Sequence, residues 1–235
     1  MELSIVIPAY NESARLPMTL GAISSYLQGK NITAEIVVVD DGSTDTTAEM
    51  ATQVLPSVRL VRHEQNKGKG AAVKTGMLAA TGDWRYLCDA DLSTPITELD
   101  AFLSARAERT VVIGSRRMPG STIVRHQAWW KEWLGRMGNL MIQTVLLPGI
   151  RDSQCGFKLF PASAAKIFEL QRQQRWGYDF EVLFLARRLG HTVKEIPVQW
   201  VNDERSKVKP FDYIKTLGEL ISIRTNAWMG KYKTA

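Results

Sequence analysis

The sequence predicts an α/β fold built on a parallel β-sheet, and two observations carry that prediction. Short β-branched runs alternate with helical patterns through the first half of the chain, which is the rhythm of parallel sheets flanked by helices. The runs are almost entirely apolar, with Ile36–Val39 the clearest case. Such runs are expected of strands that are covered on both faces.

The predicted elements follow one another in a regular order. Strands are expected at Leu3–Ile7, Glu35–Asp40, Val58–Val61, Trp84–Cys88 and Thr110–Gly114. Helices are expected near residues 13–28, 44–55, 69–80 and 96–107. Near residue 120 the rhythm weakens and an aromatic, basic segment begins. At 235 residues the chain can bury one sizeable core, so we expect a single domain over residues 1–235.

Composition limits the classes of partner. A formal net charge of +6 and a sequence pI of about 9.4 favour acidic partners such as nucleic acid, anionic lipid or a phosphorylated substrate. Cys88 and Cys155 form no metal-binding or disulfide pattern, which fits a reducing compartment. The first residues lack a signal-peptide pattern, and no apolar run reaches the ~18 residues of a membrane-spanning helix. We therefore expect a soluble or peripheral protein.

The residues that follow the predicted strands are mostly acidic. In parallel sheets, ligands bind outside the carboxyl ends of the strands. Three of four strand ends carry carboxylates in a protein that is basic overall. These ends are residues 8–12, 40–45, 89–91 and 114–117. An acidic cluster of this kind predicts a metal site at one edge of the sheet.

Asp89 and Asp91 are the central pair, since they stand two residues apart just after a buried strand. Two hard carboxylate ligands with open positions suit Mg²⁺ or Mn²⁺, with substrate phosphates completing the shell. The alternative is a solvated turn in which Asp89 caps the next segment.

Asp41 and Lys69 are candidates for binding a nucleotide. A carboxylate at Asp41 can accept hydrogen bonds from a base edge or from ribose hydroxyls; the alternative is a turn at Gly42, with Ser43 or Thr44 capping the next helix. Lys69 opens a glycine-containing helix whose free N–H groups would favour a phosphate. The spacing there matches neither of the common phosphate-binding glycine motifs.

For each of the other charged residues, the sequence allows a functional role and a structural role. Arg116 and Arg117 follow the fifth strand and could bind phosphate or lie on the surface. The segment 203–209 offers three cations that could fold over a diphosphate or form a solvated loop. Asp179 and Asp152 are candidate bases if the acceptor is a hydroxyl group, and a helix cap or a buried ion pair is the alternative for each.

These motifs, in this order, resemble the inverting GT-A glycosyltransferases that make polyprenyl- or dolichyl-phosphate sugars. Residues 152–160, 175–179 and 205–207 look most like the dolichyl-phosphate glucosyltransferase branch. The resemblance implies a GT-A, Rossmann-like, mixed and mostly parallel sheet flanked by helices, with C-terminal interfacial helices. It also implies a nucleotide-sugar-binding half over residues 1–118 and an acceptor- and membrane-facing half over residues 119–235.

The resemblance also assigns roles to residues. Those that would hold the donor nucleotide are Pro8, Tyr10, Glu12 and Asp41, with Lys69 and Ala90 in the same site. Those that would act in catalysis are Asp89 and Asp91 with the metal, and Arg116 at the acceptor phosphate or the donor diphosphate. Asp179 joins the catalytic candidates only through the hydroxyl-acceptor argument above. Arg205 and Lys207 would close over the site. Two departures stand out: the family's eukaryotic members carry an N-terminal membrane helix that this sequence lacks, and mannosyl-transferring relatives often have Gln where this chain has Ser93.

The implied reaction moves a hexose onto a lipid phosphate. A phosphate monoester has a second pKa of about 6 and is already largely ionised, so the acceptor needs orientation more than a base. UDP-glucose is the expected donor, with GDP-mannose or a sugar-hydroxyl acceptor as alternatives. A nucleotidyltransferase would have a glycine-rich loop after the first strand, and an acidic edge would repel a nucleic acid, so neither is favoured.

A membrane surface is the expected place of action. Residues 116–136 hold five Lys or Arg and one acid, with Trp129, Trp130 and Trp133 among them. The uncharged run Met137–Ile150 is 14 residues long, which suits an interfacial helix or a core helix. A second candidate is the stretch 213–232. We expect peripheral attachment at the cytoplasmic face.

Overall fold

The computed structural model describes residues 2–125, 129–201 and 210–233. Within that part, the strands are β1 (Leu3–Ala9), β2 (Ala34–Asp40), β3 (Arg59–Arg62), β4 (Trp84–Leu87), β5 (Thr110–Ser115), β6 (Thr122–Arg125), β7 (Lys158–Pro161), β8 (Thr192–Pro197) and β9 (Gln199–Val201). The α-helices are α1 (Leu16–Gly29), α2 (Thr47–Val54), α3 (Lys69–Ala79), α4 (Leu99–Ala105), α5 (Trp129–Val145), α6 (Ala165–Leu170), α7 (Tyr178–Arg188) and α8 (Pro210–Trp228). All five strands and all four helices predicted for the first half are confirmed.

The main sheet has seven strands in the order β3-β2-β1-β4-β7-β5-β8, and β6 pairs with β9 in a separate two-stranded sheet. Strand β7 runs antiparallel to β4 and β5, and the other pairings are parallel. The mixed, mostly parallel sheet implied by the resemblance is confirmed. Periodicity alone did not predict β7, because it is four residues long and begins with the charged Lys158.

Two hydrophobic clusters cover the two faces of the sheet. Val6, Val37 and Val39 point into one cluster, and their neighbours Ile7 and Val38 point into the other, following the two-residue period of a strand. Helices α3, α5, α6, α7 and α8 contribute to the first cluster, and α1, α2 and α4 to the second. The buried central strands therefore present their carboxyl ends, and the turns that follow them, as the place for a ligand.

Helix α2 begins later than the sequence predicts. Ser43 and Thr44 were expected as candidate caps, yet the helix starts at Thr47. The Asp45 carboxylate accepts the backbone N–H of Thr47 at 3.0 Å, and Ser43 Oγ accepts the N–H of Asn11 at 2.9 Å. The expected Ser43 or Thr44 cap is therefore wrong, because Ser43 is used to tie two strand ends together.

Helix α5 has one buried side and one exposed apolar side. Ile142 is 2% exposed and belongs to the core. The exposed apolar residues of α5 are Trp133, Met137, Leu140, Met141 and Val145. Helix α5 packs beside α8, which exposes Ile221 and Trp228. Within residues 2–125, 129–201 and 210–233, no helix combines the length and apolarity needed to cross a membrane.

Candidate active site

The turn after β4 presents Asp89 and Asp91. Ala90 between them is buried, and its carbonyl accepts the Thr19 hydroxyl at 2.7 Å, which anchors the turn to α1. The N–H of Ser93 donates to Asp91 Oδ1 at 3.0 Å, and Leu92 adopts a positive φ of 46°. This anchored turn holds both carboxylates at the carboxyl edge of the sheet, as the sequence predicts.

Lys69 approaches the first of these carboxylates. Its Nζ lies 2.6 Å from Asp89 Oδ1 and 5.6 Å from the centroid of the Trp176 ring. Burial disfavours the charged amine, but Asp89 outweighs that effect and raises the pKa of Lys69. For Asp89, burial is likewise outweighed by Lys69, which lowers the carboxyl pKa. Lys69 and Asp89 therefore form an ionised pair in the candidate site.

The pKa of Asp91 shifts in the opposite direction to that of Asp89. Burial and the neighbouring negative charge of Asp89 raise the pKa of Asp91. The described residues hold no cluster of three or more His, Cys, Asp or Glu side chains that could enclose a metal. Two carboxylates of one turn, one of which raises the pKa of the other, offer the hard oxygen ligands that Mg²⁺ or Mn²⁺ takes together with substrate oxygens. The residues present thus fit such an ion.

The carboxyl end of β1 supplies Pro8, Tyr10 and Glu12, which the sequence predicts as donor-binding residues. Tyr10 is 37% exposed. Glu12 accepts two hydrogen bonds from Arg15, at 2.6 and 2.5 Å, and Arg15 Nη1 lies 3.6 Å from Asp91 Oδ2. Arg15 therefore links Glu12 to the turn that carries Asp89 and Asp91. Arg15 was not predicted from the sequence, although a cation three residues after Glu12, just before α1, could have indicated the pair.

Asp41 is buried and organises the loop that leads to α3. Its Oδ1 accepts hydrogen bonds from His63 Nδ1 at 2.7 Å and the N–H of Lys67 at 3.0 Å. Its Oδ2 accepts from Asn66 Nδ2 at 2.9 Å and the N–H of Gly68 at 2.8 Å. Asp41 as a nucleotide ligand stays a prediction. His63 was missed, and its place directly after β3, at the same edge of the sheet, is the signal that could have found it.

Arg116 forms a bidentate ion pair with a buried aspartate. Its Nε and Nη2 donate to the two oxygens of Asp152 at 2.7 and 2.9 Å, and its backbone N–H donates at 3.0 Å. The guanidinium also lies 5.4 Å from the centroid of the Trp200 ring. Although burial acts in the opposite direction, Arg116 lowers the pKa of Asp152. From the sequence, Asp152 could be either a catalytic base or a member of a buried ion pair. In the structure it forms the ion pair.

Asp179 is also held in a buried ion pair. Lys158 Nζ donates to Asp179 Oδ1 and, at 2.5 Å, to the carbonyl of Cys155. Lys158 is fully buried and Asp179 is 4% exposed. The ion-pair alternative for Asp179 is therefore present, and its catalytic role stays a prediction. Lys158 was missed, although a lysine inside an otherwise apolar run indicates a buried partner.

Seven of the predicted donor and metal residues lie at or beside one edge of the sheet. They are Pro8, Tyr10, Glu12, Asp41, Lys69, Asp89 and Asp91. Ala90 lies in the same turn with its side chain inward. The predicted closing residues Arg205 and Lys207 lie outside the described residues.

A Rossmann-like sheet ending in an anchored aspartate pair, with Lys69 and Arg15 beside it, defines the class of GT-A glycosyltransferases. The sequence profile of Glycosyl transferase family 2 matches residues 4–168. The chain therefore belongs to glycosyl transferase family 2 and is a nucleotide-sugar glycosyltransferase.

Curated relatives cover almost the whole chain. It is 34% identical to the dolichyl-phosphate beta-glucosyltransferase of Dictyostelium discoideum, over 98% of this chain and 76% of that protein. It is 30% identical to the enzyme of that name from Homo sapiens, over 97% of this chain and 77% of that protein. The Saccharomyces cerevisiae enzyme is 32% identical, over 98% and 76%. The predicted resemblance is confirmed.

Solved structures agree with the fold. The structure of glucosyl-3-phosphoglycerate synthase from Mycobacterium tuberculosis in complex with Mn²⁺, uridine-diphosphate-glucose and phosphoglyceric acid matches with a TM-score of 0.72 and 22% identity, covering 95% of this chain and 80% of that one. The same synthase in complex with phosphoglyceric acid matches with a TM-score of 0.73 and 21% identity, with the same coverage. At this identity the likeness concerns the fold alone.

Proposed function

We propose that this protein transfers glucose from UDP-glucose to a polyprenyl or dolichyl phosphate, in a Mg²⁺- or Mn²⁺-dependent reaction that inverts the anomeric centre. The observation that carries the proposal is the anchored turn that presents Asp89 and Asp91 beside Lys69, at 2.6 Å from Asp89. The names of the curated relatives support the lipid phosphate as acceptor. The name of the matching Mn²⁺ and UDP-glucose complex supports the donor.

Asp89 and Asp91 would hold the divalent ion. When bound, the ion neutralises the charge that develops on the departing nucleoside diphosphate. Lys69 adds a positive charge at the same place, whereas the N–H groups of Gly68 and Ala71 at the start of α3 already donate to Asp41 and Gln174. The site would therefore stabilise the leaving group with an ion and a side chain.

The state of Asp179 and Asp152 supports a phosphate acceptor over a hydroxyl acceptor. A hydroxyl group needs a base to remove its proton, whereas a phosphate monoester is already ionised near neutral pH. Asp179 is paired with Lys158, and Asp152 is paired with Arg116 at 2.7 Å. Arg116 lowers the pKa of Asp152, and Lys158 fixes the carboxylate of Asp179 in place, so both are poorly suited to removing a proton. Single displacement by an ionised phosphate gives a β-linked product from an α-linked donor.

The exposed apolar sides of α5 and α8 support attachment to a membrane, where a lipid phosphate would be found. Trp133 is 57% exposed, Trp228 is 74% exposed and Met229 is 69% exposed. Basic residues accompany them, with Arg224 lying 5.4 Å from the Trp228 ring. Apolar and aromatic side chains next to cations suit an anionic lipid surface. We place this surface at the cytoplasmic leaflet.

The test is a donor panel with a short polyprenyl phosphate, run with and without EDTA. We expect transfer from UDP-glucose, weaker or no transfer from GDP-mannose, and none in EDTA. Asp91→Asn is expected to abolish transfer while leaving the fold intact. Asp100→Asn is the matched control, because Asp100 pairs with Lys30 on the surface, with both side chains 50% exposed. Transfer that survives both EDTA and Asp91→Asn would exclude the metal role.

A further inference from the structure

Tyr232, beyond the end of α8, is buried against the first turn of α7. The side chain is 2% exposed, and its hydroxyl donates to Glu181 Oε1 at 2.5 Å. Its ring lies 6.3 Å from the ring of Phe184. Glu181 itself is fully buried. A buried carboxylate that loses a hydrogen-bond donor is costly, so this contact fixes the tail onto α7.

The other oxygen of Glu181 holds a loop that we call the bracing loop, residues 171–177. Glu181 Oε2 accepts the backbone N–H groups of Arg172 at 3.0 Å and Gln173 at 2.7 Å. The far end of the loop is also tied to α8, because the N–H of Gly177 donates to Glu219 Oε2 at 2.7 Å. Both ends of the bracing loop therefore depend on α8 and the residues that follow it.

The opposite side of the bracing loop forms a wall against the start of α3. The carbonyl of Gln174 accepts the N–H of Ala71 at 3.1 Å, and Gln171 Nε2 donates to the carbonyl of Gly70 at 2.7 Å. Gly68 has a φ of +105°, and a Cβ there would lie 2.4 Å from the Gln174 carbonyl oxygen. The fit between the loop and the start of α3 leaves no room for a side chain.

The bracing loop also carries Trp176, whose ring lies over Lys69. Lys69 is the residue that pairs with Asp89. A continuous path of hydrogen bonds and packing thus runs from Tyr232 through Glu181 and the bracing loop to the lysine at the donor site.

We propose that Tyr232 is a positioning residue for the donor: through Glu181 it holds the bracing loop in the place that sets Trp176 and Lys69 against Asp89. The choice of donor in the test rests on the proposed function. The tail after α8 therefore contributes to donor affinity without touching the donor, and its loss loosens the wall that orients Lys69.

The experiment compares Tyr232→Phe with Tyr26→Phe. Tyr26 is a matched control, because its hydroxyl also donates to a carboxylate, that of Asp100 at 2.8 Å, but on the exposed surface. We measure KM for UDP-glucose, KM for the polyprenyl phosphate and kcat, and the UDP dissociation constant by calorimetry with Mn²⁺. For Tyr232→Phe we expect the donor KM and the UDP dissociation constant to rise about fivefold, or ~1 kcal/mol. The acceptor KM should stay within twofold, and Tyr26→Phe should match the wild type.

A Tyr232→Phe protein with a lower melting temperature but wild-type donor KM and UDP affinity would overturn the proposal, since the contact would then serve stability alone. If Tyr232→Phe does not fold, Arg172→Ala decides. This exposed side chain donates to the carbonyl of Lys231 at 3.0 Å, and its removal should raise the donor KM in the same direction. An unchanged donor KM in Arg172→Ala overturns the proposal equally. If the donor panel selects another nucleotide sugar, the same measurements are made with that donor and its nucleotide, and the proposed UDP-glucose activity fails separately.

Discussion

Gly156 lies directly against Asp89: a Cβ atom on Gly156 would come within 1.9 Å of Asp89 Oδ2. The two residues are 67 positions apart in the sequence. Contacts this short are not tolerated, so any larger residue must displace the carboxylate or the loop that carries Gly156. The second half of the chain therefore decides where the carboxylate of Asp89 can lie.

Gly156→Ala is expected to lower kcat/KM by at least about tenfold, because moving a catalytic group by even ~1 Å is costly. Mn²⁺ affinity should fall as well, which a titration of the folded variant measures. Gly21→Ala is the control, since a Cβ at Gly21 meets nothing within 4 Å, and it should keep wild-type activity. Wild-type Mn²⁺ affinity in Gly156→Ala would show that Mn²⁺ binding does not depend on the close approach of Gly156 to Asp89.

Lys69→Met is expected to change two affinities in opposite directions. Without the amine at 2.6 Å from Asp89, a divalent ion alone should bind more tightly, because no cation competes for the carboxylate. UDP affinity in the presence of Mn²⁺ should fall about tenfold, the loss of one hydrogen bond to a charged group. Calorimetric titrations of Mn²⁺ and then UDP measure both.

Lys30→Met provides the comparison for Lys69→Met, since Lys30 forms a similar pair with Asp100 at 2.7 Å on the surface. That variant should bind Mn²⁺ and UDP as the wild type does. Two affinities that fall together in Lys69→Met would mean that Lys69 supports the metal site instead of competing for it.

Asp152→Asn should destabilise the fold by about 3 kcal/mol, because it leaves the charge of Arg116 without its buried partner. The side chains of Arg116 and Asp152 are 27% and 3% exposed. Glu2→Gln, which breaks the exposed pair with Arg106, should cost less than about 1 kcal/mol. Urea unfolding measures both changes, and equal costs would show that the Arg116–Asp152 pair behaves like a surface pair.

The free energy of unfolding should fall with decreasing pH, in part because of Glu35. Burial raises its pKa, but hydrogen bonds from the Ser4 hydroxyl at 2.5 Å and from the Thr81 N–H and hydroxyl at 2.5 and 2.8 Å outweigh burial and lower it below 4.5. A group with a depressed folded pKa contributes stability above its unfolded pKa and loses it as pH falls through the folded value. Between about pH 5 and pH 3, Glu35→Gln should therefore lose less stability than the wild type.

Ser4→Ala tests the cause of the Glu35 effect. It removes one of the donors that lower the pKa, so its loss of stability with acid should lie between those of the wild type and Glu35→Gln. Urea unfolding at several pH values supplies the comparison. An identical pH dependence in all three proteins would contradict the assignment.

Exchanging Trp133 and Met137 for Ser should weaken binding to anionic liposomes by about tenfold, because both side chains lie on the exposed side of α5, at 57% and 44% exposure. UDP affinity should not change. Met18→Ser is the control, since Met18 is 66% exposed on α1, and α1 covers the face of the sheet opposite to α5. Liposome co-sedimentation measures the effect. Unaltered liposome binding by the double variant would show that α5 is not part of the membrane-binding surface.

The strands and helices of the first half and the acidic edge could be predicted from the sequence. Apolar runs and their period are local properties of the chain, and a parallel sheet brings its carboxyl ends together whatever the details of packing. The pair Asp89 and Asp91 was found in this way, because its members lie two residues apart.

The partner of each charged residue was decided only by the tertiary structure. Arg116 with Asp152, Lys158 with Asp179, and Lys69 with Asp89 are each 20 or more residues apart. A sequence shows that such residues carry charge, but their partners depend on how helices and loops from both halves pack over the sheet. The antiparallel strand β7 belongs to the same category, because pairing with β4 and β5, and not the composition of four residues, makes it a strand.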